Sequence, residues 1–217
     1  MPEEADLVGD IHYSAAKKET FRDWWERAHE RDHRFWLTGS TGAEVWPRLK
    51  VEERLQPGAP VLNIGVGLGH CTRDLAARGC EVHALDISAT ALQRVEDIAT
   101  TWRADNIAAL PKDKFIAVMS HLVAQHMTNT DLKAQIRGIL PSLKADGVFA
   151  IQFAIPLEPH GAIDYEDAAS AKGGSLQREA AVVEQMVVDV GGKVLKSELI
   201  MEFPEHKAGW HLIHIGR

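Results

Sequence analysis

Four short apolar runs, VLNIGVG (61–67), EVHALDIS (81–88), FIAVMS (115–120) and VFAIQFAI (148–155), recur along the chain with helical stretches between them. Parallel strands cannot be joined by tight turns, so strand runs alternating with helical segments predict a parallel sheet with helices on both faces. The last two runs break this pattern. KVLKSELIMEF (193–203) and WHLIHIGR (210–217) are separated by only six residues, too few for a crossover helix, so they are expected to pair as an antiparallel hairpin. The sheet then ends on a reversed strand.

Before the first run lies a different kind of chain. ETFRDWWERAHERDHRFWL (19–37) places Phe21, Trp25, Ala28 and Phe35 or Trp36 at helical spacing, and EVWPRLKVEERL (44–55) predicts a second, shorter helix with Pro47 in its first turn. QPGAP (56–60) interrupts the chain and marks the expected boundary between an N-terminal helical cap, 1–57, and a core, 58–217. Thr128 and Thr130 are candidate caps for the helix in DLKAQIRGIL, and Gly79 closes an earlier one. PLEPHGAIDYEDAASAKGGS (156–175) is a long polar loop of the kind that carries function or disorder.

The first strand run leads into Gly65, Gly67 and Gly69 and then a helix. Glycines there permit positive φ and let a ligand approach backbone amides at a helix start. Asp86 ends the second run, 21 residues after Gly65, where its carboxylate can accept both hydroxyls of a ribose. Together the two features specify a nucleoside-containing cofactor. A dinucleotide site would prefer glycine where His70 stands, so nicotinamide-dependent oxidoreduction is the weaker alternative.

At this point VLNIGVGLGHCTRDLAARGCEVHALDIS resembles the first two motifs of the class I S-adenosylmethionine-dependent methyltransferases. ALPKDKFIAVMSHLVAQHM is similar to that family's segment around the fourth strand, and ILPSLKADGVFAIQF to its turn and fifth strand. The resemblance implies a doubly wound, mostly parallel, seven-stranded Rossmann-like α/β sheet with a reversed last strand. The third strand is poorly marked, within IATTWRADN.

Carried over residue by residue, the resemblance puts Gly65, Gly67 and Gly69 along the methionine part and ribose of S-adenosylmethionine, with Asp86 on the ribose hydroxyls. Ile87 packs on adenine, Asp105 or Asn106 faces its amino group, and Ser120 ends the strand beside it. Asn63 stands where the family usually has Asp or Glu. That departure keeps open a methyltransferase-like binding protein without activity.

For the acceptor side the candidates are His126 as base, with His121 and Gln125 nearby and His160 in the long loop. Tyr13, Trp24, Trp25 and Tyr165, with Glu158, are candidates to roof the acceptor, although tryptophans at helical spacing are more often packing groups. No NPPY-type tetrapeptide follows FIAVM and no acidic metal site is apparent, which leaves a small-molecule acceptor, with oxygen preferred over nitrogen. A sugar or natural-product intermediate is the expected class.

A formal charge of -7 provides no field for a nucleic acid or anionic membrane. The segment MPEEADLVGD has neither a basic region nor an apolar run, and no window reaches about 18 apolar residues, so the expected location is the cytoplasm, as monomer or homodimer. Cys71 and Cys80 are read as buried thiols. His29, Glu30 and His33 spell the H-E-x-x-H zinc pattern, with Glu53 as a conceivable third ligand, but Arg31 and Asp32 inside the motif argue against a buried metal pair. No metal is expected. His211 and His214, three apart on a strand, point to opposite faces.

Overall fold

The computed structural model describes residues 21–31, 40–158, 165 and 175–217. The readings placed on Tyr13, His33, Phe35, Trp36 and His160 fall outside the described residues. Seven strands, β1 (Pro60–Ile64), β2 (Glu81–Asp86), β3 (Thr100–Arg103), β4 (Phe115–Ser120), β5 (Leu143–Pro156), β6 (Lys193–Phe203) and β7 (Ala208–Gly216), form one sheet in the order β3-β2-β1-β4-β5-β7-β6. Strands β3, β2, β1, β4 and β5 pair in parallel, and β7 runs antiparallel to both of its neighbours. The expected doubly wound, mostly parallel α/β sheet is therefore present. The reversed strand is last in the chain but not at the edge, because β7 inserts between β5 and β6. Burial explains the order: β7 is mostly buried and needs two neighbours, whereas β6 alternates exposed and half-buried positions and suits an edge.

Helices α1 (Phe21–Glu30), α2 (Gly42–Leu49), α3 (His70–Ala77), α4 (Ala89–Gln93), α5 (Asn129–Ile139) and α6 (Ala180–Asp189) cover the sheet. The two-residue period of the strands sorts the core. Val61, Ala117, Met119, Val148 and Ala150 face α2 and α3, packing with Val45, Trp46, Leu49 and Leu75. Leu62, Ile64, Val118, Phe149 and Ile151 face the other way, onto Leu132 and Ile136 of α5 and Val183 and Val187 of α6. His211 and His214 do lie on opposite faces. His211 Nε2 meets the Ser197 hydroxyl at 2.7 Å, and His214 Nε2 meets the Leu49 carbonyl at 2.7 Å.

Three local expectations are corrected. Helix α2 starts two residues earlier than the sequence suggests, because Thr41 and Glu44 form a capping box, with the Thr41 amide donating to Glu44 Oε2 at 2.9 Å. Pro47 consequently lies in the second turn, and the helix stops at Leu49 with Lys50 in the left-handed region (φ 52). Cys71 and Cys80 are half-buried free thiols, not buried ones, and burial pushes the Cys71 thiol up to about 12. Of the two proposed threonine caps, Thr128 serves α5, accepting from the Asp131 amide at 3.0 Å. Gly79 closes α3 as expected, at φ 79. Among the described residues no helix is long and apolar enough to cross a membrane.

Trp46 anchors α2. Its side chain is fully buried, and its Nε1 donates to Asp74 Oδ2 at 2.6 Å. Trp46→Ala removes a large apolar group and leaves that carboxylate without its indole partner, so the unfolding free energy should fall by about 3 to 5 kcal/mol. Denaturant titration measures this, and a loss below about 1 kcal/mol would contradict the packing described.

Candidate active site

The sheet order reverses direction between β1 and β4, where a parallel sheet leaves a crevice at the carboxyl ends of its strands. Three glycines line the chain's exit from β1, all in the left-handed region: Gly65 (φ 78), Gly67 (φ 58) and Gly69 (φ 87), the last at the N-cap of α3. The need for glycine is steric at the first. A Cβ on Gly65 would sit 2.2 Å from Val123 Cγ2, so a side chain there would force apart the loops that follow β1 and β4. At Gly67 a Cβ would meet nothing within 4 Å, because this glycine faces open space.

Asp86, at the end of β2, ties the crevice together. It is 6% exposed, and its Oδ2 accepts from the Val66 amide at 2.7 Å while Oδ1 accepts from the Ser88 amide at 2.9 Å. A carboxylate has about four lone-pair positions, so roughly two remain for a ligand after these bonds. Burial pushes the Asp86 carboxyl above the usual range, and the neighbouring His29 and the backbone amides oppose that push.

A cavity of about 730 Å³ opens in front of these groups. Of the residues assigned to the cofactor, Gly65, Gly67, Asp86, Ile87 and Asp105 line it. Asn63, Gly69, Asn106 and Ser120 do not. Asn63 donates from Nδ2 to the Thr72 hydroxyl at 3.0 Å, a buried bond that ties β1 to α3. Of Asp105 and Asn106, Asp105 is the one that lines the cavity.

On the acceptor side His121, His126 and Trp25 line the cavity, whereas Trp24, Gln125 and Tyr165 do not. Trp24 packs edge-on against Trp25 with centroids 4.7 Å apart, and Trp25 meets the His126 ring at 5.0 Å. Tyr165 donates its hydroxyl to the Gln177 carbonyl at 3.0 Å. Gln125 is buried, and its backbone carbonyl accepts from the Leu176 amide at 2.7 Å. Glu158 pairs with Lys207 at 2.7 Å.

His121 has the most defined chemistry of this group. Its Nδ1 lies 2.9 Å from Gln152 Oε1, which can only accept, so Nδ1 carries the proton and Nε2 presents a lone pair. That Nε2 is buried and has no hydrogen-bond partner among the described residues. Burial pushes the His121 pKa down to about 4, the Gln152 bond opposing and Arg48 assisting, so the ring is neutral at physiological pH.

Several residues at the site carried no cofactor or acceptor assignment in the sequence. His29, weighed there only within the H-E-x-x-H pattern, is 3% exposed and lines the cavity beside Asp23 and Trp25 of the same helix. Glu26 clasps α1 to the rim: its carboxylate accepts from the Ala89 amide (2.7 Å), the Thr90 amide (3.0 Å) and the Thr90 hydroxyl (2.6 Å) at the start of α4. Burial alone would raise the Glu26 pKa, but the Thr90, Ser88 and Ala89 hydrogen bonds outweigh it and hold it at about 2. Arg94 adds a bond to the His29 carbonyl at 2.7 Å. Arg178, fully buried, holds the loop bearing His126 by donating to the Ala124 carbonyl (3.0 Å), the Met127 carbonyl and Asn129 Oδ1 (2.7 Å). Only the amphipathic pattern of α1 could have drawn attention to Glu26, and to His29 in a role other than metal ligation. Arg178 gave no signal, since its partners are mostly backbone carbonyls.

Residues 61–147 match a family model described as a methyltransferase domain. This is a class I methyltransferase fold. Among solved structures, phosphoethanolamine N-methyltransferase 2 of Haemonchus contortus, with S-adenosylhomocysteine bound, has a TM-score of 0.69 at 18% identity over 93% of this chain and 61% of that one. The chain thus spans about 61% of the length of that enzyme. The 1,6-didemethyltoxoflavin-N1-methyltransferase of Burkholderia thailandensis, also with S-adenosylhomocysteine, gives 0.63 at 13% identity over 99% and 90% of the two chains. The cyclase SpnF gives 0.60 at 15% identity over 78% of each. At these identities the likeness concerns the fold, and it spans enzymes of different chemistry. No curated protein matches the sequence.

Two outcomes test the geometry. Glu26→Ala frees α1 from the sheet core, so amide exchange should speed up at 21–31 and at 88–91 while the core strands are unchanged; protection equal to wild type in both segments would contradict the clasp. The His121 pKa is lowered on folding, so between pH 6.5 and 4 the unfolded chain gains a proton that the native chain refuses, and stability falls with pH across that window. Full protonation of the unfolded His121 removes roughly 3 kcal/mol, and His121→Gln should lack that part of the acid loss in denaturant titrations. Equal pH slopes for the two proteins would refute the burial of a neutral ring.

Proposed function

We propose that the protein is an S-adenosylmethionine-dependent methyltransferase acting on a small-molecule acceptor. The observation that carries this reading is the placement of Asp86: a buried carboxylate with lone pairs to spare, at the lip of a crevice floored by left-handed glycines. The residues fit such a ligand. Asp86 would hold the ribose hydroxyls, the open face at Gly65 and Gly67 would take the amino-acid tail, and Ile87 with Asp105 would receive the base. When bound, S-adenosylmethionine supplies a methyl group on a positively charged sulfur.

The chain's own part is to orient the acceptor, exclude water and keep the accepting atom unprotonated. The α1 cap, held by Glu26, closes the crevice, and we assign residues 1–57 to that cap and 58–217 to the cofactor-binding core. An oxygen acceptor, a hydroxyl or carboxylate of a sugar or natural-product intermediate, is favoured by the imidazoles at the cavity wall, the first being His121, whose ring is neutral and tied to Gln152. His126, edge-on to Trp25, is the second candidate for a proton-accepting group. Asn63, bonded to Thr72 where the family usually has a carboxylate, favours a second reading, a protein that binds the cofactor without transferring its methyl group.

Isothermal titration with S-adenosylhomocysteine and with NAD separates this proposal from nicotinamide chemistry. Binding of S-adenosylhomocysteine alone is expected, weakened by about 1 to 3 kcal/mol in Asp86→Ala through loss of hydrogen bonds to a charged group. Binding of NAD alone, or an unchanged dissociation constant in the variant, would overturn it.

A further inference from the structure

Helix α1 crosses the crevice instead of lying along one side of it. The sheet order places β2, β1 and β4 side by side, so the glycine turn after β1 lies between the turn after β2 and the loop after β4. On the β2 side Glu26 accepts from the Ala89 and Thr90 amides, and Arg94 donates to the His29 carbonyl. On the β4 side the Trp25 ring meets His126 at 5.0 Å. Asp23, Trp25 and His29 of the same helix line the cavity. A ligand seated on Asp86, with its tail along Gly65 and Gly67, therefore lies beneath α1.

The attachment on the β2 side shares its backbone with the cofactor site. Consecutive amides follow Ile87: that of Ser88 donates to Asp86 at 2.9 Å, and those of Ala89 and Thr90 donate to Glu26 at 2.7 and 3.0 Å. One carboxylate belongs to the floor of the crevice and the other to its roof, and the turn 86–90 is gripped by both. The Thr90 hydroxyl adds a further donor to Glu26 at 2.6 Å. These bonds hold the Glu26 pKa at about 2, so the clasp is charge-assisted at physiological pH. Ala28 and His29 are the buried side chains among those described in α1, whereas the sheet beneath carries a continuous core. The helix can therefore open at a lower cost than the sheet.

We infer that Glu26 is a positioning residue for the cofactor and that its clasp controls cofactor exchange. With the clasp closed, the 86–90 turn holds Asp86 toward the ribose and α1 covers the ligand. With the clasp broken, α1 lifts from the β2 side and the ligand can leave. Coupling of this kind is reciprocal: a ligand that ties Asp86 down steadies the turn that Glu26 grips, and a closed clasp slows the ligand's escape. Glu26 does not line the cavity, so it acts through the turn and not by touching the ligand. The inference rests on the proposed cofactor reading and adds to it the residue that governs entry and release.

The test is the dissociation rate of tritiated S-adenosylhomocysteine, chased with unlabelled ligand, from wild type, Glu26→Ala, Thr90→Val and Thr90→Ser. A dissociation rate does not depend on the fraction of protein that folds, so each variant is read without correction. Thr90 does not line the cavity; Thr90→Val removes one donor to Glu26, and Thr90→Ser keeps it. Dissociation should be about tenfold faster in Thr90→Val, faster still in Glu26→Ala and equal to wild type in Thr90→Ser. Association rates should stay within about twofold of wild type. Wild-type dissociation rates in both Glu26→Ala and Thr90→Val, or weakening carried by association alone, would overturn the role of Glu26 and leave the cofactor reading standing. Failure of wild type to bind S-adenosylhomocysteine would overturn both.

Discussion

The buried carboxylate of Asp86 organises this molecule's working end. It spans two chain segments, taking one amide from the glycine-rich turn after β1 and one from the turn into α4, and so fixes the lip of the crevice before any ligand arrives. Burial alone would favour the neutral acid. The amides and the nearby His29 oppose that tendency. A carboxylate in this position is therefore a structural tie with accepting capacity left over, and in the proposed reading a ribose diol would take it up.

The steric side of the same design lies in the loops. Gly65 allows the β1 turn to meet Val123 in the loop after β4, which closes the crevice where the sheet order reverses. Arg178 fastens that second loop from the far side through backbone carbonyls, so the segment bearing His126 is held at both ends. Above it, α1 contributes Asp23, Trp25 and His29 to the cavity wall and is held to α4 by a carboxylate on backbone amides. That clasp is local and partly exposed, while the sheet beneath is continuous core.

Much of the fold was legible in the sequence because burial on both faces leaves a strong mark. The runs 61–67, 81–88, 115–120 and 148–155 each contain or overlap a strand, and the hairpin of β6 and β7 followed from a connection too short for a helix. The third strand was faint because Thr100–Arg103 is short and only half-buried at a sheet edge. The position of β7 between β5 and β6 was not stated by any motif, although its denser apolar pattern carried the information. The start of α2 was missed because a capping box at Thr41 and Glu44 was overlooked beside the more conspicuous Pro47.

At the site, residues fixed by backbone conformation were the readable ones, such as Gly65, Gly67 and Asp86. Residues whose role depends on what meets them in space were not. His29 is one of several polar residues on a helix by sequence, and only the seating of that helix over the cavity shows that it lines the site. The most direct measurement of the whole account is a crystal structure grown with S-adenosylhomocysteine. The account predicts ribose oxygens within about 3.2 Å of the Asp86 carboxylate and the homocysteine tail along Gly65 and Gly67. Density for the nucleoside in another place, or a crevice without it at saturating ligand, would contradict the account.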